Sequence, residues 1–262
     1  MKPPAETAPR TMQILHPDLT MEWLRAHATG KQVSVAVVDS GVDATHPAVA
    51  GRLERACVVC RGPDGAVVCR EPPAGESVDS YGHGTGVAGV IASLAPDVRI
   101  TSVKVLNDYN QCTGEEFIAG LRWAVERRVK LINLSLATAK PAYHSELFEL
   151  CEQAHVQGLI IVAARRNFGE IGLPAKFSNV IGVDREDFLD RYRIRYYPSQ
   201  AVTYGAHGTN VRVPGLNGGY ALQTGTSFAT PHVTGILALL LEPFPDLLCC
   251  EAKTILKAFA VL

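Results

Sequence analysis

Neither sign of charge is in excess in this chain of 262 residues: 25 lysines and arginines stand against 26 aspartates and glutamates, a formal net charge of −1. Without a basic field, nothing draws nucleic acid or an anionic membrane to the surface, and neither is expected as a partner. The local basic clusters, Arg127-Arg128-Lys130 and Arg191 to Arg195, read as solvated faces. Long apolar runs are missing too. No stretch of about 18 uninterrupted apolar residues exists, so no membrane-crossing helix is expected. The opening segment, MKPPAETAPRTMQILHPDLT, holds prolines and a glutamate where a secretory signal has a continuous apolar core. The seven cysteines are odd in number, with Cys249 and Cys250 adjacent, unlike the even framework of a secreted disulfide scaffold. These absences favour the cytoplasm. Internal repeats and low-complexity linkers are absent as well.

What is present is enough apolar material for a sizeable core, 47% of residues, at a length that suits one α/β domain. Residues 1–20 read as an N-terminal extension and 21–262 as the domain. Residues 32–40 form a nearly unbroken apolar run, as expected of a parallel strand covered on both faces. Residues 99–106, 131–136, 159–164 and 180–183 repeat that pattern. Between them, 115–128 places Phe117, Leu121, Ala124 and Val125 on one helical face, and 145–157 ends at Gly158, a plausible stop. Alternating strands and helices imply right-handed crossovers and a three-layer, mostly parallel sheet. Within 55–79, ACVVC and AVVCR flank RGPDG, which predicts a hairpin with a Pro-Asp-Gly turn.

Three segments carry chemistry: VAVVDSGVD (35–43), YGHGTGVAG (81–89) and GTSFATPHVTG (225–235). Alone, Asp39 could cap a turn, His83 could be a packed or capping residue, and Ser227 could be only an N-cap. Together they supply an orienting carboxylate at the carboxyl edge of a strand, a general base flanked by glycines, and a nucleophile at a helix start. The run from Ala229 to Leu241 suits a buried central helix, with Pro231 placed in its first turn. A helix start also aims N–H groups and the positive dipole end at a developing oxyanion.

The order Asp, His, Ser resembles that of subtilisin-like serine proteases, and the resemblance runs from about Gln32 to Leu262, including Val213-Pro214-Gly215. It implies a three-layer α/β/α fold with a central, mostly parallel sheet. It also implies peptide-bond hydrolysis through an acyl-enzyme, with a polypeptide substrate and no cofactor. Asn167, in VAARRNFG, is then the side-chain oxyanion donor. Ile132-Asn133-Leu134-Ser135-Leu136 looks like the strand that pairs with substrate, so Ser135, Leu136, Ala137 and Thr226 are expected to contact it.

Arg165 and Arg166 stand where the family has a small residue and a glycine, by a wall of the pocket for the residue preceding the cut. An arginine there either lines the pocket and favours an acidic side chain, or fills it, or distorts the oxyanion hole. The opposite wall is expected near 173–177, and Phe228 could crowd the leaving-group side.

The stretch after His83 has too few oxygen ligands for the strong calcium loop of secreted relatives. Asp43, Asp79 and Asp108 remain candidates for a different cation site. Cys57-x2-Cys60-x8-Cys69, with Cys112 or a histidine, could form a zinc site or a disulfide, or be buried small residues; the spacing is incomplete for zinc, and no metal is expected. The absence of a secretion signal and the narrow-looking pocket point to selective intracellular processing, such as leader-peptide removal from a precursor. The alternatives are an inactive peptide-binding module on the same fold, and a transpeptidase or macrocyclase in which an amine intercepts the acyl-enzyme.

Overall fold

The computed structural model of the protein describes residues 18–73 and 79–261. Most of the expected N-terminal extension, and part of the 55–79 segment, lie outside the described residues. The chain enters through helix α1 (Met21–His27), capped by the Thr20 hydroxyl, and reaches the central strand β1 (Ser34–Asp39). Every β1 residue after Ser34 is buried. Strands alternate their side chains between faces. Val35 and Val37 accordingly join one apolar cluster, and Ala36 and Val38 join another on the opposite face.

Strands β2 (Leu53–Arg61) and β3 (Val67–Arg70) form the expected hairpin, closed by Gly62 N–H donating to Ala66 O at 2.8 Å. Beyond them come α2 (His83–Leu94), β4 (Arg99–Lys104), α3 (Gly114–Glu126), β5 (Leu131–Leu134), α4 (His144–Val156), β6 (Ile160–Ala164) and β7 (Ile181–Glu186). The short strands β8 (Ile194–Tyr196) and β9 (Tyr204–His207) complete the sheet, in the order β3-β2-β4-β1-β5-β6-β7-β9-β8. Its interior pairs are parallel, and only the edge pairs β2/β3 and β8/β9 are antiparallel. A separate ribbon, β10 (Val211–Pro214) with β11 (Tyr220–Gln223), leads into α5 (Thr226–Leu241), and α6 (Cys249–Phe259) follows.

One face of the sheet carries α2, α5 and α6, and the other carries α3 and α4, as their shared apolar clusters show. This is the three-layer α/β/α architecture. All sixteen residues of α5 are buried, which its lack of a polar face anticipates. That helix starts at Thr226, which puts Pro231 in its second turn rather than its first. The proline therefore removes a real i→i−4 bond and leaves the Ser227 carbonyl without its helical donor. Ser135 Oγ–H supplies one instead, at 2.8 Å. No helix among the described residues is long and apolar enough to cross a membrane.

Candidate active site

The carboxyl ends of the parallel strands bring the site together. Asp39 is the last residue of β1 and fully buried, and His83 is the first residue of α2. They meet because α2 starts hard against the loop after β1: a Cβ on Gly84 would lie 2.1 Å from Gly41 O. Gly82, at φ +93°, makes the left-handed turn that launches the helix. The outcome is an Asp39 Oδ1 to His83 Nδ1 contact of 2.7 Å. Nδ1–H is then the donor and Nε2 is left without a proton, since Asp39 is an acceptor. The ring of His83 rests on that of Phe228, their centroids 5.1 Å apart. Phe228 is 5% exposed; it floors the site beneath the histidine and also lines the hollow shared by His83, Val213 and Pro214.

Burial works against charging His83, but the Asp39 carboxylate, the hydrogen bond to it and the charge of Asp79 outweigh that effect, so its pKa is raised above the ordinary 6.5. Asp79 is a residue whose part the sequence reading missed. Its Oδ1 accepts from Ser40 Oγ (2.8 Å), Tyr81 N (3.1 Å) and Gly82 N (2.8 Å), and its Oδ2 from Thr85 N (2.9 Å) and Thr85 Oγ1 (2.6 Å). Ser40 Oγ in turn accepts from Gly84 N at 2.9 Å. One carboxylate thus gathers the orphan amides at the start of α2, and its five donors leave no room for a cation ligand. Asp43 is engaged with Thr45 in its own loop, and Asp108, after β4, with Ser80 of the loop before α2. The signal available in the sequence was an Asp just ahead of a glycine-flanked helix start.

Ser227 lies in the first turn of α5, 9% exposed, behind the N-cap Gly225. No hydrogen bond joins its Oγ to His83 among the described residues; such contacts are commonly long in a free enzyme and tighten with substrate. Asn167 approaches from the loop after β6. Its Oδ1 accepts from Thr226 N at 2.9 Å. The Thr226 amide can only donate, so this pairing fixes the side-chain orientation and turns Nδ2 outward as a donor. A Cβ on Gly225 would sit 3.1 Å from Ser227 Oγ and 3.8 Å from Asn167 Nδ2. Glycine there keeps open the space between hydroxyl and amide. The Ser227 N–H has no acceptor among the described residues, so two donors border that space.

A cleft of ≈ 540 Å3 extends from this point, bounded by His83, Ser227, Asn167, Ser135, Leu136 and Ala137. Ser135 serves chiefly as a tie: buried, it donates to Ser227 O and accepts from Asn133 Nδ2 at 2.9 Å, while Asn133 Oδ1 accepts from Thr234 Oγ1 at 2.8 Å. The expected second wall is joined to the first, because Thr138 and Leu173 exchange backbone hydrogen bonds of 3.1 and 2.8 Å. Leu173, Ala175 and Phe177 belong to the core, however, and Gly172 is the residue that meets the cleft-lining Arg166.

The two arginines separate. Arg165 pairs with Asp184 (Nη1 to Oδ2, 2.8 Å) and its carbonyl accepts from Thr226 Oγ1 at 2.7 Å. Arg166 has no ionic partner among the described residues, and its stem lies over Gly172 and Ala137: a Cβ on Gly172 would meet Arg166 Cγ at 2.8 Å and Ala137 Cβ at 3.2 Å.

The cysteine motif converges only in part: Cys57 and Cys69 lie within side-chain hydrogen-bonding reach across the β2/β3 hairpin, whereas Cys60, three residues from Cys57 on β2, faces the opposite side of the sheet and Cys112 lines the cleft. Burial pushes the Cys112 thiol up to about 12, helped by Glu116 and Asp39. Among the described residues no group of three or more His, Cys, Asp or Glu is placed to hold a metal ion.

The family model described as "Subtilase family" matches residues 30–260. Subtilisin DY of Bacillus licheniformis is 30% identical over 249 residues, covering 88% of this chain and 84% of that one. The minor extracellular protease Epr of Bacillus subtilis is 28% identical, and this chain spans 35% of its length. Among solved structures, Sphericase superposes with a TM-score of 0.72 at 26% identity, over 87% of this chain and 82% of that one.

Proposed function

The chain belongs to the subtilase family of serine proteases, and from that premise we propose that it is an endopeptidase working through Asp39, His83, Ser227 and Asn167. The observation that carries the assignment is the 2.7 Å contact of Asp39 with His83 Nδ1, in a cleft that His83 shares with Ser227 and Asn167. Ser227 Oγ attacks the scissile carbonyl while His83 Nε2 takes its proton, and Asp39 stabilises the imidazolium. Asn167 Nδ2 and the Ser227 N–H receive the oxyanion. His83 returns the proton to the departing amine, and water, activated the same way, releases the acyl group. An extended substrate would lie along residues 135–137.

We place the enzyme in a reducing compartment as a selective processing peptidase acting on a precursor such as a leader-bearing peptide. Seven free thiols and a recess narrowed by Arg166 support this reading. The test is fluorophosphonate labelling, together with cleavage of a diverse peptide library by the native protein and Ser227→Ala, read by mass spectrometry. Label on Ser227 and sharp cleavage that disappears in the variant are expected. Neither labelling nor cleavage would instead leave a peptide-binding module, and ligation of added amines would mark a transpeptidase.

A further inference from the structure

The cleft beside Ser227 has a lopsided chemistry. Among the described residues that line it, none is Asp or Glu, whereas Lys140, Arg165 and Arg166 all do. The three cations are not equivalent. Arg165 is neutralised by Asp184 from outside the cleft. Lys140 is exposed to solvent. Arg166 is half-buried, makes neither an ion pair nor a side-chain hydrogen bond among the described residues, and packs its stem against Gly172, beside Ala137. A partly desolvated, unpaired guanidinium is costly, and a carboxylate arriving with the substrate offsets that cost with a bidentate, charge-assisted pair.

Which substrate side chain arrives there follows from the serine mechanism. His83 must protonate the departing amine, so the leaving peptide lies toward the hollow that His83 and Ser227 share with Val213, Pro214 and Leu216. The acyl portion, whose carbonyl oxygen is held at Asn167, then lies on the other side of Ser227, next to Arg166. Resting on the serine-peptidase reading above, we infer that the recess of the cleft walled by Ala137 and Arg166 takes an acidic side chain from the residue preceding the cut, and that Arg166 selects it. The arginine stem already occupies part of the recess, which shuts out a large aromatic side chain at the same time.

The test uses peptidyl diphenyl phosphonates, which modify a reactive serine through their first residue. Reagents ending in the aspartate or glutamate analogue are compared with their amide isosteres and with the phenylalanine analogue. On the native protein the better acid is expected to react about tenfold faster than its amide, the phenylalanine reagent more slowly still, and added salt to shrink the acid-to-amide ratio. In Arg166→Leu that ratio should fall to near one, and Arg166→Lys should keep part of it. A ratio of rates is read, so a general loss of reactivity in a variant cancels. Amides reacting as fast as acids on the native protein would overturn the assignment, as would an unchanged ratio in Arg166→Leu. A simple fluorophosphonate without a peptide separates the two levels: if it labels Ser227 while the ratio is one, only the acidic preference falls. If it does not label, the peptidase reading falls and takes this inference with it.

Discussion

At the scale of single residues, the site rests on two carboxylates with different tasks. Asp39 directs Oδ1 at His83 and at the Ser40 amide, while its buried Oδ2 has no hydrogen-bond partner among the described residues. Asp39→Asn would offer an amide where the ring needs an acceptor and favour the wrong tautomer. A fall in kcat of about 10⁴, as in other serine triads, is expected with little change in KM. Removing the side-chain oxyanion donor costs about 10²–10³ in turnover in subtilisin itself, and Asn167→Ala should match it. Because the folded-state pKa of His83 lies above 6.5, kcat/KM should rise with pH along a limb centred above that value, where the ring becomes neutral. Its stability contribution runs the opposite way, full below the ordinary value and lost as pH rises through the folded one. Asp79→Asn removes a charge that helps raise this pKa, so the limb should move to lower pH. A fall in amplitude with an unmoved limb would reduce Asp79 to a purely structural role.

At the scale of elements, the start of α5 contains a repair. Pro231 withdraws the helical donor from the Ser227 carbonyl, and Ser135 on the neighbouring segment replaces it at 2.8 Å. Ser135→Ala should strand a buried carbonyl, at a cost of about 1–3 kcal/mol in urea denaturation. Pro231→Ala in the same chain restores a backbone N–H to bond Ser227 O. The double variant should therefore recover part of the loss, whereas simple additivity would argue against this tie. The repair couples Ser135, and through it Asn133 and Thr234, to the turn that carries Ser227.

At the scale of the whole molecule, the N-terminal part is clamped to the end of the central helix by one side chain. Glu242 Oε2 accepts from the backbone amides of Thr29, Gly30 and Lys31 at 2.7, 2.8 and 3.0 Å. These partners are more than two hundred residues apart in sequence and hold the loop that feeds β1, and so Asp39. Glu242→Gln keeps the shape but weakens charge-assisted bonds, with an expected loss of about 1–3 kcal/mol by chemical denaturation. A change below about 0.5 kcal/mol would mean the loop is held by its apolar contacts alone.

The amino-acid sequence determined what depends on local order. The unbroken apolar run at 32–40 made β1, the amphipathic pattern at 115–128 made α3, and Pro-Asp-Gly made the hairpin turn. Three motifs singled out Asp39, His83 and Ser227, and the resemblance they carry implied Asn167. The short strands β8 to β11, three or four residues each, carry too few alternations to register as a period. Only the tertiary structure decided which acids and bases meet. Asp184 lies nineteen residues from Arg165 and claims it, while neighbouring Arg166 is left to the cleft. Asp79 gathers four donors within six residues of itself, but its fifth, the Ser40 hydroxyl, reaches it only because α2 starts against the β1 loop. Partnership of this kind is a matter of distance across the fold, which residue types and spacing along the chain do not contain.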